Sequence, residues 1–148
     1  MDILGISLFF SILLSALVTG FILTYAIVIM PGLSNLDDKE FIKAFQVTDG
    51  IIQNNQPIFI LIWIGSIVSV LSTIITSILS LGILDAWLII FVGVVYLLVV
   101  KGITISIHLP LNKSIQNIDI NSSNSETLSK MRKSFETKWN YFNNVRTV

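Results

Sequence analysis

Three stretches of this chain carry almost no charge and are long enough to cross a lipid bilayer. Ile3–Met30 and Pro57–Leu84 contain no Asp, Glu, Lys or Arg, and Ala86–Leu109 contains only Lys101. The first run, about 28 residues, extends roughly 42 Å as a helix, against a hydrocarbon core of about 30 Å. It can cross with tilt. A cleaved secretory leader would need a basic start and a shorter apolar core, whereas the only early charge here is Asp2. Only 12% of the 148 residues are charged, about half the usual share of a soluble domain. The pattern predicts an all-α integral membrane protein forming one membrane domain over 1–148. Its transmembrane helices are expected at about 3–30, 57–82 and 86–109, with Pro31-Gly32, a turn at Gly82 and Pro110 as the stops.

The remaining charges are informative by position. Nine basic and nine acidic side chains cancel, so no field points to nucleic acid. There is no cysteine and one histidine, His108, which excludes disulfides, thiolate chemistry and a Cys- or His-rich metal centre. Three crossings put the central loop and the C-terminal tail on one side. Lys39, Lys43, Lys113, Lys130, Arg132, Lys133, Lys138 and Arg146 all fall there. The positive-inside rule then predicts a multi-pass cell-membrane protein with a cytoplasmic tail and an outside N-terminus.

Two amphipathic helices are expected at the membrane interface. In 36–56, Asp37 and Glu40 form a capping pair, Phe41, Phe45 and Ile52 share one face, and Gln46, Asp49 and Gln53 share another. That polar face either meets solvent or looks into the mouth of the bundle. After a polar loop at 113–125, residues 126–146 carry an apolar stripe of Leu128, Met131, Phe135, Trp139 and Phe142. The stripe is expected to rest on an anionic membrane surface. Within the apolar runs, Ser7, Ser11, Ser15 and Thr19, and Gly65, Ser69, Thr73 and Ser77, recur every four residues. Such stripes let helices approach closely; the alternative is a polar permeation path. Lys101, Thr104 and His108 share a face of the third helix, and Lys101 either snorkels to the interface or faces a pocket.

Several strings occur between these runs: Met30-Pro31-Gly32-Leu33, Ala44-Phe45-Gln46, Asn54-Asn55-Gln56-Pro57, Pro110-Leu111-Asn112, and Trp139-Asn140 followed by Asn143 and Arg146-Thr147. In this order the chain resembles the family of small membrane proteins named after the fungal anthrone oxygenases. The resemblance implies a helical membrane bundle, typically of four crossings. It also implies oxidation of an anthrone to an anthraquinone with molecular oxygen in the fungal members, with no cofactor. Its motif positions fall on Gln46, Asn54, Pro57, Pro110, Asn112, Trp139, Asn140, Asn143 and Arg146. The fourth apolar helix would follow the last string. Either this sequence is a shortened member, or three crossings form an incomplete four-helix bundle whose open face meets lipid, a second copy or another membrane subunit.

Three functions fit. In the first, an uncharacterised membrane protein uses a polar cap of Gln46, Asn54, Asn112, Trp139, Asn140, Asn143 and Arg146 for structure or for binding a partner or ligand, with Arg146 paired to Asn112. In the second, a cofactor-independent oxygenase uses His108 or Asp49 as base and Arg146, Gln46 and Asn112 to hold an oxyanion. A transporter or channel subunit is the third, disfavoured because three helices are few for a pore and no acidic relay crosses them.

Overall fold

Five helices make up the protein, with no strand among the described residues; the computed structural model describes residues 2–147. They are α1 (Ile3–Leu33), α2 (Asp38–Gln53), α3 (Pro57–Leu81), α4 (Trp87–Gln116) and α5 (Ser125–Thr147). α1, α3 and α4 are long and apolar enough to span a membrane. Their outer surfaces are covered with exposed apolar side chains such as Phe9, Leu61, Leu79, Phe91 and Leu98. A contiguous apolar belt of this kind is unfavourable in water and neutral in lipid.

The small residues set how the long helices meet. α1 and α3 lie together along their length. The Ser7 and Thr76 hydroxyls are 2.8 Å apart across the contact. A Cβ at Gly65 would stand 3.1 Å from a Leu14 methyl. Ser66, Ser69, Thr73 and Ser77 are buried on α3, with Ser66 accepting from the Tyr96 hydroxyl at 3.1 Å, and their hydroxyls donate to backbone carbonyls one turn back, as at Ser66 to Trp63 O (2.7 Å) and Thr73 to Ser69 O (2.9 Å). The polar atoms are thereby satisfied inside the helix, as a lipid environment requires.

Side chains close the helix starts. Asp2 accepts from Gly5 N at 2.8 Å, Asp37 from Glu40 N at 2.8 Å, and Gln56 from Phe59 N at 2.5 Å. Asn55, in the left-handed region (φ 61°), ends α2 and turns the chain into Pro57, where α3 begins.

Neither proline ends its helix, contrary to the sequence expectation. α1 continues to Leu33 and α4 to Gln116. Proline lacks an N–H and its ring crowds the carbonyl four residues back. Here a π-helical segment precedes each one: Tyr25–Ile29 before Pro31, and Tyr96–Gly102 followed by Thr104–His108 before Pro110. The wider turn makes room for the ring and lets the helix run on. Residues 113–116, expected in a loop, are helical as a result.

α2 and α5 pack together at one end of the long helices. Leu128, Phe135 and Trp139 are buried with Phe41, Ile42, Phe45, Tyr25, Met30 and Ile115 in a single cluster. Each such side chain contributes roughly 1.5–3 kcal/mol when fully buried. Protein, rather than lipid alone, therefore covers the α5 stripe, and only its Met131 stays exposed. Arg132 locks the arrangement. It donates to the carbonyls of Leu36 (2.7 Å) and Ser34 (2.9 Å), pairs with Asp38 (3.2 Å) and Glu136 (3.1 Å), and lies over the Phe41 ring.

Candidate functional site

Where the five helices converge they leave a cavity of about 350 Å³. α1 supplies Phe21 and Tyr25, α2 supplies Asp49 and Gln53, and α3 supplies Phe59 and Trp63. Thr104, His108 and Asn112 of α4 and Trp139 and Arg146 of α5 complete the wall. Most of the surface is apolar, with a few convergent polar groups, as is usual for small-molecule sites. Tyr25, Thr104 and His108 all sit in the π-helical segments, where the widened turns aim them inward.

His108 is 2% exposed, and neither ring nitrogen has a partner within hydrogen-bond geometry among the described residues, with the Phe142 backbone facing the ring. Its ring meets Trp139 edge-on, with centroids 5.0 Å apart. Trp139 in turn is held by a chain of amides. Its Nε1–H donates to Asn112 Oδ1 (3.0 Å), and Asn112 Nδ2 donates to Asp49 Oδ1 (2.7 Å). Gln116 Nε2 donates to Asp49 Oδ2 (3.2 Å) and to Gln46 O (3.0 Å). Burial raises the Asp49 carboxyl above the usual range, against the opposing effect of the Gln116 and Asn112 bonds that favour its ionised form.

Arg146 donates to Thr104 Oγ1 at 2.8 Å, and through Nε and Nη2 to Asn143 Oδ1 at 2.9 and 2.8 Å. Its guanidinium lies 5.7 Å from the Trp139 ring centroid. Burial lowers its pKa to about 10, which leaves it charged at neutral pH.

Of the residues singled out from the sequence, His108, Asp49, Asn112, Trp139 and Arg146 meet around this cavity, and Asn143 braces Arg146 from behind. The others do not join them. Gln46 donates to the carbonyls of Ile115 (2.8 Å) and Ile118 (2.9 Å), closing the end of α4. Asn54 is exposed at the end of α2, and Asn140 lines an open polar groove with Arg132 and Glu136. The expected Arg146–Asn112 pair does not form: Asn112 is taken by Asp49 and Trp139, and Arg146 by Thr104 and Asn143. Lys101 does not snorkel. It is 3% exposed, donates to Trp63 O at 3.3 Å, and sits 4.5 Å over the Trp63 ring. Tyr25, Trp63 and Gln53 line the cavity without having been chosen as site residues. Gln53 was detectable as the residue one turn beyond Asp49, whereas nothing in the sequence separates Tyr25 and Trp63 as cavity walls from aromatics at a membrane interface.

A cavity walled by aromatic rings, with a small polar cluster, thus lies in a helical protein that has three helices long and apolar enough to cross a membrane. The family model for anthrone oxygenase matches residues 52–148, and the chain belongs to that family. The match includes α3, α4 and α5, and so His108, Asn112, Trp139 and Arg146. Comparison with curated proteins and with solved structures gives no match.

Proposed function

We propose that the cavity binds a flat, lipid-soluble aromatic and that the protein oxygenates it without a cofactor. The observation that carries the reading is His108: a buried imidazole whose nitrogens have no hydrogen-bond partner among the described residues, facing a mostly apolar cavity of ligand size. Family membership supports the substrate type. For an anthrone, His108 takes a proton from the ring methylene, and the carbanion forms a C–O bond to molecular oxygen. The returned proton gives a hydroperoxide. Loss of the second methylene hydrogen as a proton, with cleavage of the O–O bond, leaves the quinone carbonyl and water. One anthrone and one dioxygen become one anthraquinone and one water. Trp139 holds the imidazole in place and the aromatic walls stack on the substrate.

Oxygen uptake with an anthrone in detergent micelles tests this. His108→Gln should lower turnover by about 10²–10⁴-fold, the usual contribution of a positioned base. Folded wild-type protein that turns over no anthrone, or an unaffected His108→Gln variant, removes the proposal.

In the membrane, the proposed orientation places α2 and α5 on the cytoplasmic side, from the Lys and Arg placement, with the N-terminus outside. The exposed apolar flanks of α3 and α4 are proposed to meet lipid or a further membrane subunit.

A further inference from the structure

Arg146 lines the cavity as a cation with no carboxylate partner among the described residues. Among the described residues the ion pairs are Lys130–Glu126, Arg132–Asp38 and Arg132–Glu136. The three hydrogen bonds of Arg146 all go to neutral oxygens, those of Thr104 and Asn143. A guanidinium has five N–H donors, so one remains on each terminal nitrogen. The group is rigidly presented. Asn143 is 1% exposed and its Nδ2 also lacks a partner, while the Trp139 ring backs the guanidinium.

Nothing else on the wall balances this charge. Lys101, one turn from Thr104 on the same face of α4, is buried and likewise has no carboxylate partner among the described residues. Asp49 is the one carboxylate lining the cavity, and the amides of Asn112 and Gln116 occupy its oxygens. Burial also favours its neutral form. A buried cation without a counter-ion is costly, and an anion that enters the site offsets that cost.

We propose that the cavity takes its ligand as an anion: an aromatic with an ionised ring hydroxyl, its oxygen held by the two free N–H groups of Arg146. The aromatic walls favour an aryl oxyanion over an alkyl carboxylate, because Phe21, Tyr25, Phe59, Trp63 and Trp139 all line the cavity and can stack on a flat ring. The proposal rests on the reading of the cavity as an aromatic site, and adds the charge state of the ligand and the group that recognises it.

The probe is 2-hydroxyanthraquinone, whose absorption changes when its hydroxyl ionises, titrated with the full-length protein in detergent micelles. Bound to wild type, its ionisation should fall by at least one pH unit relative to empty micelles, about a tenfold preference for the anion. Arg146→Gln should abolish that shift and reduce the preference over unsubstituted anthraquinone by about the same factor, and Arg146→Lys should restore part of it. Wild type that binds the dye in its neutral form overturns the proposal, with no variant needed. So does a shift that survives in Arg146→Gln, or displacement of the dye by laurate at lower concentration than by the dye's own phenol. Failure of both quinones to bind removes the aromatic site as well. A clear shift with no oxygen uptake on anthrones would leave the anion site standing and remove only the oxygenase.

Discussion

Asn112 is the joint through which a buried carboxylate orients a buried tryptophan, and its removal has a calculable effect. Asn112→Ala breaks the 2.7 Å bond to Asp49 and the 3.0 Å bond from Trp139. A net bond to a charged group contributes about 1.5–3 kcal/mol and a neutral one about 1 kcal/mol. The expected loss at pH 7 is therefore about 2.5–4 kcal/mol, and Trp139 N–H is left without a partner. The loss should also depend on pH. Asp49 already has a raised folded pKa, and losing a donor to its ionised form raises it further. Stability from a raised carboxyl is present below the unfolded value, near 4, and is lost as pH rises through the folded value. The penalty of the mutation should thus be largest at pH 7 and shrink toward pH 4. Denaturant titration of micellar protein, followed by tryptophan emission, measures both. In a double-mutant cycle, Asn112→Ala and Trp139→Phe should together cost about 1 kcal/mol less than the sum of the two single losses, because either change alone already breaks that bond. A loss under about 0.5 kcal/mol at pH 7, or one that does not change with pH, would refute the reasoning.

Gly82, at φ 82° and ψ 158°, sits in a region open essentially to glycine alone. Gly82→Ala should cost about 1–3 kcal/mol, read by the same denaturant titration, although nothing lies within 4 Å of the added methyl. Lys101→Met removes a buried unpaired charge from Trp63 and should leave thermal stability unchanged or higher; a clear fall in melting temperature would show that the ammonium has a partner the contacts above do not include.

The three apolar runs made the membrane helices plain, because in lipid a charge deficit and a span length leave few other folds. The ends of those helices were harder to read. Pro31 and Pro110 are local stop signals, and only the π-helical turns before them, a property of hydrogen bonding rather than composition, let the chain continue. The stripe on α5 was visible as apolar. What covers it was not, since Phe135 and Trp139 would look the same facing lipid or Phe45. Among the site residues, Arg146 was marked by the family resemblance and His108 by being the one histidine. The Arg146–Asn112 pair expected from the sequence does not form, because pairing depends on how far each helix is rotated and how deep it sits. Arg146 reaches down to Thr104, two turns before Asn112 on α4. Gln46 looked equivalent to Asp49 along α2, yet it points at the end of α4 and holds carbonyls there.

The π-helical segments give this site an unusual dependence on chain length. Each takes up an extra residue in a widened turn, so winding Tyr96–Gly102 as ordinary α-helix with every residue kept would cost little backbone bonding. Everything beyond it would then turn by about 100°. Thr104 and His108 would swing off the cavity wall while the span stayed apolar and intact. Among relatives, a one-residue gap at this point is compatible with the same cavity wall on a plain α-helix, whereas a gap elsewhere in the span would turn the wall away, a distinction that residue identities alone would not reveal.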